Sequence, residues 1–242
     1  MAKHMGFHAL QLDLGNSKNG FALTSSFLQQ QYLQDAEKYH IDLPSLAVNE
    51  VNRVGFSHPK DNADKKAAYT ALETAVLVAS DMHIPAVVFP SFGTNRILDE
   101  ADFTRTVEAL RFVCRLAEQE NITVYSENVL TPQRFVALHQ AVGSSSLRLL
   151  FDSQNYYFFN KVDCSTYLDQ LFPYIGNQVH LKDGNDQMGM DALGKGASSF
   201  YKSVDKLKSH HFIGYLILEN CYDKKPHLLH QDMHTIKELF EV

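Results

Sequence analysis

LRLLFDSQN, residues Leu147–Asn155, decides how this chain is read. Leu149, Leu150 and Phe151 are apolar on consecutive positions, and the run stops on the charged Asp152. An extended segment that is apolar on both faces belongs in a parallel sheet covered by helices. The same form recurs on either side. TVYSEN (Thr123–Asn128) ends on Glu127, QVHLKD (Gln178–Asp183) carries His180 and Lys182, and YLILEN (Tyr215–Asn220) carries Glu219. Three earlier strands are expected at His8–Leu14, Leu46–Val51 and Ala86–Phe92.

Helical periodicity fills the intervals, over residues 25–40, 65–83, 99–120, 132–142, 164–174, 197–210 and 227–241. In the third of these, Phe103, Val107, Leu110, Val113, Cys114 and Ala117 fall on one face. Strict strand–helix alternation predicts an α/β fold with a parallel sheet. No Pro-, Ser- or Gly-rich linker interrupts it, so residues 1–242 read as one domain. A doubly wound nucleotide fold needs a phosphate-binding glycine loop after its first strand. The GNSKNG of Gly15–Gly20 is neither GxGxxG nor a P-loop. A (β/α)8 barrel instead places functional residues at the C-terminal ends of many strands, as the last four strands do.

Composition narrows the function classes. With 45% hydrophobic and 21% charged residues in 242, the chain is an ordinary globular one. Its 22 Lys+Arg against 28 Asp+Glu leave a net charge of -6 and no basic patch, which argues against nucleic acid or an anionic membrane as partner. Cys114, Cys164 and Cys221 are widely spaced with no CxxC, so neither a disulfide framework nor a thiolate zinc site is indicated. The opening MAKHMGFHAL has no apolar signal region, and no apolar run approaches the ~18 residues of a membrane span. A cytoplasmic protein is expected.

Glu127, Asp152, His180 and Glu219 each follow directly on an apolar run. Singly, a strand-end carboxylate is most often a helix cap and a histidine most often a structural hydrogen-bonding group. At matching ends of four successive strands they would converge, and three carboxylates with an imidazole are costly to desolvate unless a positive charge sits among them. A divalent cation meets that need, and an oxygen-rich set with one imidazole suits Mn, Mg or Co better than a structural zinc site.

These segments, with LGKG at Leu193–Gly196, resemble the successive motifs of the sugar phosphate isomerase/epimerase superfamily, the xylose isomerase-like TIM barrels. The resemblance runs from about Gly6 to the C-terminus. It implies that Glu127, Asp152, His180 and Glu219 hold a divalent metal (Mn, Mg, Co or Zn), and that Glu127 and Glu219 are also the acid/base pair. It implies substrate contacts from Asn155, three residues after Asp152, and from the loop of Gly194 and Gly196, for which a plain turn is an equal reading. Lys182 is read as a contact to a substrate oxygen or as a surface ion pair. The implied substrate is a small sugar or sugar phosphate, converted through an enediolate.

Two features depart from the family's pattern. Phe89-Pro90-Ser91-Phe92 stands where related strands end in His. The family also opens with a strand and full helix before the part matching Gly6–Leu14, whereas Met1–Met5 can supply only the tail of that helix. Seven strands are therefore expected, with the first strand and most of the first helix lacking. Open edges would follow, to be closed within a homo-oligomer or left in a degenerate, non-catalytic binding barrel. An endonuclease IV-like repair nuclease from the same superfamily would need more strand-end histidines than are present.

Overall fold

The computed structural model describes residues 3–240. Met1 and Ala2 of the expected helix tail, and Glu241 at the expected end of the last helix, lie outside the described residues; Lys3–Met5 form one 3-10 turn. The chain forms two compact units that divide between Arg148 and Leu149.

The first unit contains β1 (Leu12–Asp13), α1 (Ser26–Tyr39), β2 (Leu46–Ala47), α2 (Val51–Val54), α3 (Asn62–Asp81), β3 (Ala86–Pro90), α4 (Glu100–Gln119), β4 (Thr123–Glu127) and α5 (Pro132–Val142). Its strands pair in parallel in chain order, Leu12 beside Leu46, Leu46 beside Val87 and Val87 beside Val124. The two long helices start on side-chain caps: Asp61 accepts the Asp64 amide and Asp99 the Asp102 amide. The face of α4 read from periodicity buries Val107, Leu110, Val113, Cys114 and Ala117, with Phe103 half-buried at its edge.

In the second unit come β5 (Leu147–Asp152, its first two residues on the other side of the division), α6 (Asn155–Asn160), α7 (Leu168–Leu171), β6 (Ile175–Leu181), α8 (Phe200–Ser209), β7 (Tyr215–Leu218) and α9 (His227–Phe240). Parallel pairing sets Asp152 beside His180 and Leu181 beside Leu218. The described residues thus hold seven parallel strands separated by helices, the α/β barrel type expected from the sequence.

Boundaries differ where side chains redirect the backbone. The strand expected over Leu147–Asn155 stops at Asp152, whose Oδ1 accepts the amides of Gln154 and Asn155 and so holds the first turn of α6. Leu46–Val51 shortens to two residues because Val51 already begins a helical turn. His8–Leu14 retains only Leu12–Asp13 plus a single bridge from Ala9 to Asp42. Residues 164–174 form a broken series of short turns, the last with Pro173 near its start. No helix among the described residues is long and apolar enough to cross a membrane.

Candidate active site

The second unit assembles its strand-end residues through register. Asp152 and His180 are neighbours across β5 and β6, and the Glu219 amide donates to the Leu181 carbonyl at 2.9 Å, continuing the ladder one residue past β7. Asp152, His180 and Glu219 each bring a potential ligand atom within 4.8 Å of the others. His180 and Lys182, two residues apart and so on one face of the strand, both reach the same carboxylate. His180 Nδ1 lies 3.1 Å from Glu219 Oε2, and Lys182 Nζ lies 2.6 Å from it. The same ammonium stands 3.1 Å from Asp152 Oδ2.

Lys182 is only 4% exposed, so it is neither a surface ion pair nor a solvated charge. Its ammonium supplies the positive charge that the carboxylates demand. Burial pushes the Glu219 carboxyl up, but the charges of His180 and Lys182 and their hydrogen bonds outweigh it and hold the group well below the usual carboxylate range. Asp152 divides its oxygens, Oδ1 to the two amides of the α6 turn and Oδ2 to Lys182.

This donor set fits a divalent cation. Two carboxylates and an imidazole are hard or borderline ligands at short mutual distance. The ammonium of Lys182 is a stand-in for a cation, hydrogen-bonded to Glu219 and ion-paired with Asp152. Glu127 belongs to the first unit, where it closes β4, is 5% exposed, pairs with Pro90 in register and accepts the Ser91 amide on its carbonyl at 2.8 Å.

The other expected contacts have structural partners. Asn155 is buried at the start of α6, its amide 2.7 Å from Asp152 Oδ1. The amides of Gly194 and Gly196 both turn onto Asp183 Oδ2, at 2.9 and 3.0 Å. Gly196 is required there, since a Cβ would stand 2.2 Å from Asp183 Oδ1. At the FPSF departure, Phe92 donates its amide to Asn52 and the Pro90 carbonyl accepts from Asn95, so that strand end anchors loops.

The residues next to the candidates were not singled out from sequence, yet they form a connected hydrogen-bond network. Asp183, fully buried, also accepts from the Gly184 amide and from Ser198 Oγ. Asn220 accepts the Asp183 amide at 3.0 Å and donates to the Asp191 carbonyl and to Asp232. Asp232 on α9 accepts in addition from Tyr222 and the Leu193 amide. This network fixes the main chain beside Lys182 and Glu219. The only sequence signal for it was adjacency, the D of HLKD and the N of LILEN.

The strands and helices define an α/β barrel of parallel strands, and comparison with known proteins agrees. Residues 1–239 match the family described as xylose isomerase-like TIM barrel. A 2-epi-5-epi-valiolone 7-phosphate 2-epimerase from Actinoplanes sp. is 32% identical over 224 residues, spanning 92% of this chain and 81% of that protein. The chain belongs to the xylose isomerase-like TIM barrel family, and its enzyme class is isomerase/epimerase. Among solved structures, a D-tagatose 3-epimerase-like protein superposes with a TM-score of 0.79 at 17% identity, covering 98% of this chain and 89% of the other. The IOLI protein crystallised with a zinc atom gives 0.77 at 15% identity, covering 98% and 90%. At these identities the two structures speak for the fold.

Proposed function

We propose that this protein is a divalent-metal-dependent epimerase or isomerase of a ketose sugar, a sugar phosphate or a related polyol ketone, acting in the cytoplasm. The observation that carries the reading is the set of Asp152, His180 and Glu219 ligand atoms within 4.8 Å, with an ammonium ion-paired to two of the residues. Glu127, Asp152, His180 and Glu219 are the metal ligands in this reading. Glu127 and Glu219 exchange the proton, and Lys182 and Asn155 contact substrate oxygens beside the Gly194–Gly196 loop. The relative named for a valiolone 7-phosphate and the tagatose epimerase-like neighbour support a polyol ketone substrate. The zinc of the IOLI structure supports a metal.

A divalent ion bound by these residues would stabilise negative charge developing on the carbonyl oxygen. The residues of the chain do the rest. Glu219, held ionised, removes the proton from the carbon beside the carbonyl, leaving an enediolate; Glu127 delivers a proton to the opposite face, inverting that carbon. A carboxylate paired with His180 and Lys182 is a weak base, so Lys182 has to leave Glu219 for the transfer to run. A substrate oxygen that draws the ammonium away makes Glu219 more basic only when substrate is in place.

Metal analysis of the purified protein, with turnover by Glu219→Gln, tests the reading. One bound divalent ion and loss of activity in the variant are expected. A protein that takes up no divalent ion and whose variant stays active would refute the reading; one that binds no ion and turns nothing over would be a non-catalytic binding barrel, its carboxylates balanced by Lys182 alone.

A further inference from the structure

The polar residues at the ends of β1 and β2 play no part in the acid/base or metal roles above, and their placement assigns them a role in choosing the substrate. Asp13 pairs in register with Ala47, Ala47 with Val88 and Val88 with Tyr125, so these four side chains share one face of the sheet. Two residues on, Asn49, Pro90 and Glu127 continue that face at the C-terminal ends of their strands, the end at which α/β barrels hold ligands. The opposite face takes the apolar residues: Leu14, Leu46 and Val48 are fully buried. Asp13 and Asn49 are thus polar side chains on the same face as Glu127, and both are exposed.

They are also joined. Asn49 Nδ2 donates to Asp13 Oδ2 at 2.8 Å, while Asp13 Oδ1 accepts the Gly15 amide at 2.7 Å. A carboxylate and an amide held side by side offer accepting oxygens and a donating NH2 in one place. That is the combination that pairs with neighbouring hydroxyls, each of which both donates and accepts. Immediately outside, Glu50 takes Arg53 Nε at 3.0 Å and the Ser17 amide at 3.2 Å, so the one guanidinium there is already balanced. Glu50 and Arg53 offset each other, so the charge held beside Asn49 is that of Asp13, which repels a phosphoryl group approaching it. β2 stands two strands from β4, about 10 Å between main chains, a span that two side chains and a substrate of six or seven carbons bridge.

We propose that Asp13 and Asn49 form a subsite for the uncharged hydroxyls of the substrate's distal carbons, remote from the carbon that exchanges its proton at Glu127. The subsite rests on the epimerase reading and deepens it, since it sets which polyols are accepted.

The test compares D-fructose, 6-deoxy-D-fructose and fructose 6-phosphate as probes, with wild type, Asp13→Asn and Asn49→Ala, following binding, kcat and KM. Wild type should favour fructose over its deoxy analogue. Each variant should raise KM for fructose by about 10- to 100-fold, the loss of one hydrogen bond to a charged or buried partner, while leaving the deoxy analogue unchanged. Using two variants at different strands keeps the test open if one folds poorly. The subsite is refuted if the variants slow both sugars equally, or melt earlier with discrimination intact, which is the signature of a mere loop clamp. Asp13→Asn gaining affinity for fructose 6-phosphate without losing fructose would also refute it, by assigning the edge to a phosphoryl group. A wild type inert towards all three removes the epimerase reading itself, a failure distinct from loss of discrimination.

Discussion

Replacing Asp183 by Asn changes one oxygen into an NH2 with almost no change in shape, and the structure sets the consequence. The Asp183 carboxylate is fully buried and accepts from four donors at 3.0 Å or less, Gly184 N and Ser198 Oγ on Oδ1 and Gly194 N and Gly196 N on Oδ2. Turned one way, its NH2 faces the Gly194 and Gly196 amides; turned the other, it faces the Gly184 and Ser198 amides, while Ser198 Oγ can rotate and accept, so two amide donors lose their acceptor either way. Two hydrogen bonds to a charged group at about 1.5–3 kcal/mol each give a loss of about 3–6 kcal/mol, a large part of a typical ~5–15 kcal/mol total. For a chain of this length, about 2–4 °C per kcal/mol puts the drop in melting temperature near 6–12 °C even at the lower figure. Urea unfolding measures it directly, and turnover should fall as well because Lys182 precedes Asp183. Gly196→Ala, whose Cβ would press on Asp183 Oδ1, should act on the same loop, so the double variant should lose less than the sum of the singles. A midpoint change worth under about 1 kcal/mol in Asp183→Asn would refute the view that this carboxylate holds the loop beside the site.

Lys182→Met removes the ammonium from between Asp152 and Glu219. Because Glu219 is partly open to solvent, the expected loss is about 1–3 kcal/mol, and added Mn2+ should raise the melting temperature of the variant more than that of wild type; equal shifts would contradict the ammonium's role as a cation stand-in. Glu50 is almost fully buried, and although burial raises its carboxyl, hydrogen bonds from Arg53 and Ser17 hold it below the ordinary value. A depressed folded-state pKa contributes stability above the unfolded value and loses it as pH falls through the folded one. Unfolding free energy should therefore drop below about pH 4.5, and Glu50→Gln should flatten that drop, as urea titrations across pH 3–7 would show. Burial pushes the thiols of Cys114 and Cys164 up to about 12 and seals both, whereas Cys221 is half-exposed. A thiol reagent should label one cysteine in the native protein and three in denaturant.

Much of this was legible in the sequence because burial on both faces writes an unmistakable pattern. The runs at Val87–Phe89, Leu149–Phe151 and Leu216–Leu218 are apolar without alternation, and each lies within a strand. The candidates Asp152 and Glu219, which end two of these runs, were visible for the same reason, and they are brought together with His180 of the strand between. What escaped was set by local hydrogen bonds that periodicity does not encode. The turn held by Asp152 ends β5 early, and Asp183 reorganises the Gly194–Gly196 loop around itself. Lys182 is the instructive case. The sequence demanded a positive charge among the carboxylates, and only side-chain placement revealed that the chain supplies one itself. Asp13 and Asn49 were hidden because β1 and β2 have two residues each, too short for a face to be read.

The proton exchange at the heart of the account can be measured without knowing the natural substrate. Wild type loaded with Mn2+ is incubated in D2O with ketohexoses, and deuterium at the carbon beside the carbonyl is followed by NMR. Solvent deuterium is expected at that carbon with wild type, and is expected to be lost on replacing Glu219 by Gln and on removing the metal with a chelator. Incorporation that persists in Glu219→Gln, or none in metal-loaded wild type, would contradict it.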